Sequence, residues 1–325
     1  MRVLIAGATG AIGRPLIRYL NRDHHTVYAL ARSPKSSRAV TELGAEPVIA
    51  DALDAASVKA AITQVRPDAV INELTSLPSH YTAAEMRAAA ERDRKVRIEG
   101  NVNLLAALRG ARVRRYVLQS GGFWYAPGDG LADESVPFAF DASPAVAAGS
   151  RRYAELEATA TGTPGIEFIA LRCGFFYGPG TWFCRDGDMG EQAREQGVPV
   201  IGDGQGVWSW VHIEDAAAAT AAALECRPGV YNVVDADPTP QRVWLPAFAR
   251  AVGAPTPPQI TEEEALVVFG PDAVYYAMQL RGASNEKAKR ELNFRPRPLE
   301  WLHQSRPGLD PSADPRRSLA RALLQ

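Results

Sequence analysis

Only three cysteines, Cys173, Cys184 and Cys226, occur in 325 residues, and their spacings are unrelated. An odd, scattered set supports neither a disulfide framework nor a zinc site, so no metal is expected and a reducing compartment fits. An excess of one charge is lacking too: 36 Lys and Arg stand against 37 Asp and Glu, for a net charge of −1. A near-neutral chain without a basic run offers no general field to nucleic acid or to a membrane surface. No apolar run approaches the length of a membrane span, and MRVLIAG at the N-terminus enters a strand without a charged leader. These absences lead to the expectation of a cytoplasmic protein that meets a small molecule.

What is present is alternation. Val3–Ala6, Thr26–Leu30, Glu46–Ile49, Ala69–Asn72, Tyr116–Gln119 and Phe168–Arg172 are short, apolar, β-rich and bounded by turn residues. Helical patterns lie between them at Ile12–Asn21, Ser57–Val65, Ala83–Leu108 and Arg151–Thr161. Continuously apolar strands alternating with helices predict a parallel sheet covered on both faces, an α/β Rossmann-type doubly wound fold. After Gly178 the rhythm breaks into a glycine-rich, aromatic stretch. It is followed by a strand-like VHI, a helix over Glu214–Leu224, a strand over Val230–Val234 and further helices to about His303. The expected organisation is a dinucleotide-binding domain over 1–178, with 211–235 returning to it. A smaller substrate-binding lobe is expected from 179–210 and 236–305, then a tail over 306–325 ending in a short helix, SLARALLQ.

The strongest motif is VLIAGATGAIG. Gly7, Gly10 and Gly13 close the first strand and open a helix beginning near Ala11. A bound pyrophosphate needs a tight turn, bare backbone and free N–H groups at a helix N-terminus. The strand before and the helix after are the context that gives a glycine pattern this meaning. Gly7, Thr9, Gly10, Ala11, Ile12 and Gly13 are therefore candidate dinucleotide contacts. At the end of the second strand TVYALARSPKSSR has no acid to bond a ribose 2′-OH, but carries Arg32, Ser33 and Lys35. A guanidinium pairs well with a 2′-phosphate, so NADP(H) is expected over NAD(H); the alternative is a basic surface loop. Asp51, followed by Ala52, is placed either to meet the adenine edge or to cap a helix.

With these motifs in place, the chain resembles the extended and atypical short-chain dehydrogenase/reductase superfamily, in its NAD-dependent epimerase/dehydratase-like branch. GATGAIG, ADALD, LRCGFFYGPG, GDG at 202–204, VHIEDAAAA, YNVVD and ASNEKAKRELNFRP carry the resemblance in order, over roughly 1–303. It implies that Leu74, Gly174 and Phe175 lie along the cofactor, and that a homodimer could pair through a long helix such as 83–108. The family's chemistry uses a Ser/Thr and a Tyr-x-x-x-Lys pair, the lysine making the phenol a better acid than its ordinary value near 10 allows. Here Gly121 stands at the Ser/Thr position, Ala147 at the tyrosine and Arg151 at the lysine. No lysine occurs between Lys95 and Lys287, so shifting the register does not restore the pair. Nucleotide-sugar members resemble R-D-F-V-H-V-D-D where this chain reads WSWVHIED. Trp208 there replaces a phosphate-gripping arginine, which argues against a nucleotide-sugar.

Aromatics crowd the segments expected near the nicotinamide. Trp124, Tyr125, Trp182 and Trp208, expected on loops, are candidates to hold a flat apolar substrate, with the packed core as the alternative. Phe175, Phe176 and Trp210, on or beside strands, are expected in the core. Tyr125, Tyr153 and Arg151 are the candidate catalytic residues, with Glu73 and Asp186 as further acids; His212 is expected to be structural. Arg281 could anchor an anionic substrate group. The expectation is an NADP(H)-dependent oxidoreductase acting on a small aromatic or polyketide-like substrate without the usual Tyr-Lys pair. The alternatives are an isomerase, dehydratase or cyclase with the cofactor as scaffold, and a non-catalytic dinucleotide-sensing regulatory protein.

Overall fold

A computed structural model describes residues 1–303; the tail expected from 306, with its SLARALLQ helix, lies outside the described residues. The elements run β1 (Arg2–Ala6), α1 (Gly13–Arg22), β2 (Thr26–Ala31), α2 (Pro34–Glu42), β3 (Glu46–Ile49), α3 (Ala55–Val65), β4 (Ala69–Asn72) and α4 (Ala83–Leu108). They continue β5 (Arg115–Gly121), α5 (Pro144–Thr161), β6 (Glu167–Cys173), β7 (Phe175–Tyr177), α6 (Asp188–Arg194), β8 (Val200–Ile201), β9 (Val207–Trp208) and β10 (Trp210–His212). The remainder is α7 (Ile213–Ala222), β11 (Gly229–Val233), β12 (Thr239–Pro240), α8 (Gln241–Val252), β13 (Gln259–Ile260), α9 (Glu262–Val268), α10 (Pro271–Met278), α11 (Glu286–Glu291) and α12 (Glu300–His303).

Seven parallel strands form the main sheet in the order β11-β6-β5-β4-β1-β2-β3. Strand order reverses between β1 and β4, so the crevice at their carboxyl ends is the ligand site that such a sheet creates. Alternate side chains of each strand point to opposite faces, so the apolar runs feed two cores. Val3, Ile5, Ile71, Val117 and Ile169 pack with α1 and α7, whereas Leu4, Val70, Tyr116, Leu118 and Ala170 pack with α3, α4 and α5. A third core is aromatic. Tyr177, Phe183, Trp208, Trp210, Trp244, Phe248 and Trp301 are all buried in it, joining β7, β9, β10, α8 and α12 beside the sheet.

Two helices differ from the sequence expectation. α2, unrecognised in the stretch after β2, begins with a capping box: the Ser33 side chain accepts from Ser36 N, the Ser36 side chain accepts from Ser33 N, and Pro34 opens the first turn. α5 starts seven residues before the expected Arg151, because the small residues of PAVAAGS carry no amphipathic pattern yet pack tightly. Asp54, not Asp51, caps α3 by accepting from Ala56 N, so the helix-cap reading of Asp51 does not hold.

Candidate active site at the carboxyl edge of the sheet

The loop from β1 to α1 is shaped for an anion. Gly7 has φ +96°, and a Cβ there would come 2.4 Å from the carbonyl oxygen of Glu73 on the neighbouring strand end. Only glycine permits both that conformation and that approach. Gly10 N donates to Gly7 O at 3.0 Å and closes the turn, while Thr9 and Gly10 face outward. α1 has no side-chain cap and no acid in its first turn, so its start keeps the partial positive charge of a helix N-terminus. Ala11 is half-buried and Ile12 and Gly13 are buried behind the loop. This cradle fits a dinucleotide pyrophosphate.

The remaining expected cofactor residues gather along the same edge. Asp51 is exposed after β3, its Oδ1 accepting from Leu53 N at 3.0 Å. Ala52 is buried beside it, its carbonyl accepting from Asn103 Nδ2, and both Ala52 and Leu74 close over Gly100 of α4. Arg32 is exposed at the end of β2, directly before the Ser33 cap of α2. Gly174 follows β6, where the backbone of Ser209 and Trp210 passes so close that a Cβ would meet Ser209 O at 2.5 Å. Phe175, half-buried, stacks on Phe123 with ring centroids 4.5 Å apart.

Around the end of β5 aromatic rings lie on glycine backbone. The ring of Tyr153 lies on Gly121, where a Cβ would come 2.5 Å from its Cε2. Trp124 lies in the same way on Gly149 of α5, and its indole donates to Tyr276 Oη at 3.1 Å. Ala147 is buried; Arg151 is exposed and donates to Phe140 O. Glu157 is committed elsewhere: it accepts from Ser120 Oγ at 2.6 Å and takes both Nε and Nη2 of Arg172 at 2.9 and 2.8 Å. Arg172 reaches on to Tyr125 Oη, which in turn donates to Asn232.

The candidate residues therefore divide. Tyr125 is buried, bridged to Phe138, and its phenol is pushed up to about 12 by burial against the nearby Arg172 charge. Trp208, expected on a loop, is a buried residue of β9 that stacks on Trp210 and donates to Tyr276 O. Both belong to packed interior because their polar atoms find partners there. Trp124 and Trp182 remain half-exposed. Trp182 donates to the carbonyls of Pro78 and Ser79 and packs on Tyr81 at 4.7 Å. It thereby holds the β4–α4 loop against the segment before α6, and Asp188, the first residue of α6, also accepts from Tyr81 N and pairs with His80. Arg281 spreads its guanidinium over three carbonyls, of Gly130, Ala126 and Asp129, and so fastens the loop after Tyr125. Asp186 is exposed; His212 caps α7 by accepting from Glu214 N.

A buried ionisable cluster sits between these groups, and only Glu73 of it was anticipated. Glu73 directly follows β4, is 7 % exposed, and its Oε2 is buried with no hydrogen-bond partner. Burial pushes its carboxyl up to about 8, opposed by Arg97 of α4. Arg97 is buried too, donates to Asp93 Oδ2 at 2.9 Å and stands 5.6 Å from the Tyr153 ring centroid. Arg152 also meets Asp93, at 3.4 Å. Asp93 and Arg97 show the i, i+4 spacing of a helix pair, which sequence alone assigns to a solvated face. Among the described residues no group of three or more His, Cys, Asp or Glu could hold a metal, and no helix is long and apolar enough to cross a membrane.

Comparison with known proteins agrees with this geometry. Residues 3–233 match the model of the NAD dependent epimerase/dehydratase family. A 3-diazoavenalumate denitrifying reductase from a Streptomyces species is 36 % identical over 93 % of this chain and 98 % of its own. A 2-alkyl-3-oxoalkanoate reductase from Stenotrophomonas maltophilia is 27 % identical over 78 % of this chain and 77 % of its own. Among solved structures, Thermus thermophilus UDP-glucose 4-epimerase in complex with NAD superposes with a TM-score of 0.67 at 24 % identity, covering 91 % of this chain and 94 % of that one. With its seven-stranded Rossmann sheet, its glycine cradle and relatives that are reductases over most of their length, the chain belongs to the NAD dependent epimerase/dehydratase family and is one of its nicotinamide-dependent oxidoreductases.

Proposed function

We propose that the protein is an NADPH-dependent reductase of a small, electron-poor aromatic compound, with a neutral diazo compound as the substrate class and an aromatic ketone as the runner-up. The observation that carries this reading is the near full-length similarity to a denitrifying reductase of a diazo compound, in a chain whose β5 end offers a glycine where the family has a hydroxyl. The aromatic walls support it: Phe123, Phe175, Trp124 and Tyr276 line the approach with rings, and flat apolar ligands are held by such surfaces. Preference for NADPH rests on Arg32, exposed at the end of β2 with no acid beside it.

The bound nicotinamide supplies hydride. The chain's own part is to hold the pyrophosphate on the α1 N-terminus, to seat the substrate between rings and to keep water out with the strap that Trp182 pins. Reduction of a neutral diazo compound consumes one hydride and one proton, breaks the carbon–nitrogen bond and releases N2. The test is to mix the protein with a naphthoquinone diazide and NADPH deuterated at the transferred position. Evolved N2 with deuterium on the arene carbon is the expected outcome. Turnover of substrate with no NADPH consumed would replace this reading with an isomerase that keeps its cofactor, and tight NADPH binding with no chemistry would replace it with a sensor.

A further inference from the structure

Reduction of a neutral acceptor needs a proton as well as a hydride, and the positions that supply it in the family hold Gly121, Ala147 and Arg151. Resting on the reductase reading above, we propose that Glu73 is the proton donor of this site, with Arg97 as the cation that receives the carboxylate it leaves behind.

The case is one of placement. Glu73 follows β4, the strand beside β1 at the point where sheet order reverses, and its backbone is the wall against which Gly7 is fitted. Its side chain is thus at the carboxyl edge where an open α/β sheet binds its ligand. Its Oε2 is buried without a partner in the protein, an arrangement that costs free energy unless a ligand meets it or a proton sits on it. The groups facing its carboxyl come from two elements. Arg97 approaches from α4 and the Cys173 thiol, itself driven well up by burial, from β6, while the Gly7 backbone of the β1–α1 loop packs on the Glu73 main chain. Behind Arg97 stand Asp93 on the same helix and the Tyr153 ring of α5. Arg97 is shared with Asp93 and only partly offsets the burial of Glu73, which agrees with a carboxyl still protonated at neutral pH.

In the step itself the Glu73 O–H bond breaks and its electron pair stays on the carboxylate, now facing Arg97. The proton goes to the oxygen or carbon conjugated with the diazo group and makes the substrate a cationic hydride acceptor. Hydride from the reduced nicotinamide then forms the new C–H bond, and N2 departs with the electron pair of the broken C–N bond. Solvent returns the proton to Glu73. An acid whose pKa lies near the working pH is suited to this work.

The experiment compares wild type, Glu73→Gln and Tyr153→Phe by three readouts. Difference infrared spectroscopy follows the protonated-carboxyl stretch from pH 6 to 10, roughly spanning the value of about 8 given by burial. Energy transfer from tryptophan measures NADPH affinity, and stopped flow measures hydride transfer to a naphthoquinone diazide. With the three proteins compared in an Asp235→Asn background, so that the other buried carboxyl raised towards neutral pH adds no band, the expected result is a buried-carboxyl band that fades on the alkaline side and is missing from Glu73→Gln. NADPH affinity of that variant stays within about threefold, and its hydride-transfer rate falls about 100-fold and loses its alkaline decline. Tyr153→Phe keeps both the band and the decline. An ionised Glu73 at pH 7, or a Glu73→Gln variant with the wild-type rate and profile, would overturn the assignment while leaving the reductase reading standing. Loss of NADPH binding in Glu73→Gln would also overturn it, and make Glu73 a cofactor ligand. A wild type that binds NADPH, shows the band and reduces no probe would sink the reductase reading and the proton-donor role together.

Discussion

Tyr153 lies flat against the backbone of Gly121, with its Cε2 2.5 Å from where a Cβ would stand. The ring is itself packed by Phe123 at 6.1 Å, Trp124 at 5.8 Å and Phe138 at 6.3 Å, so it has no room to withdraw. A larger side chain at Gly121 therefore collides with that ring. Gly121→Ser and Gly121→Ala are expected to cost about 1–3 kcal/mol through overpacking. Denaturant titration measures that loss, and a variant of unchanged stability would show that the ring yields.

On the proposed NADPH preference, Arg32 is the residue that tells the two dinucleotides apart. Arg32→Ala should weaken NADPH by tenfold or more, about 1.4 kcal/mol or above, and alter NADH by less than about threefold. Parallel titrations of tryptophan energy transfer check this. Equal losses for both cofactors would place Arg32 on the shared diphosphate instead of on the 2′-phosphate.

The Glu157–Arg172 pair joins α5 to β6 below the site, with side chains 11 % and 8 % exposed. Ser120, Tyr125 and Glu134 complete its hydrogen bonds. Glu157→Ala strands a buried guanidinium and is expected to destabilise by about 3–5 kcal/mol, read from the urea midpoint. Replacing Glu157 and Arg172 together by Leu and Met should cost clearly less than the single change, because the uncompensated charge is then gone.

Two buried carboxyls make stability depend on pH. Burial pushes Asp235 up to about 7 and Glu73 up to about 8, whereas both titrate near 4 when the chain unfolds. The folded state thus holds these protons more tightly. Their stabilising contribution is complete below about pH 4 and is lost as pH rises through 7 to 8. Melting temperature should fall across neutral pH, and Asp235→Asn, which cannot ionise, should flatten part of that fall.

Trp182 ties the β4–α4 loop to the segment before α6 through two carbonyls. Trp182→Phe keeps the ring contact with Tyr81 and removes the hydrogen bonds. Amide exchange over 75–81 should quicken several-fold in that variant while the sheet is unaffected. Uniform exchange in both proteins would mean that the His80–Asp188 pair and the Tyr81 N–H suffice to hold the strap.

The alternation of apolar strands with helices was legible because burial on both faces leaves a strand continuously hydrophobic. β3, β4 and α4 run within the limits that pattern predicts. α2 was missed although Ser33, Pro34 and Ser36 are a helix start, because its charged and polar residues bury only Val40. The aromatics misled in part. A tryptophan in a short segment between glycines reads as loop, but β9 pairs Trp208 with Thr239 of β12, thirty-one positions further on, and local sequence has no trace of that pairing.

The sequence by itself determined the doubly wound sheet and the glycine-rich turn that opens α1, since each depends on residue type and spacing within one or two elements. Only the tertiary structure decided what gathers around the end of β5. Tyr153 covers Gly121, Glu157 turns to Arg172, and Glu73 is left buried between Arg97 and Cys173. These contacts join residues of different strands and helices. The low dielectric and close approach that set the chemistry of a carboxyl exist only where such elements meet.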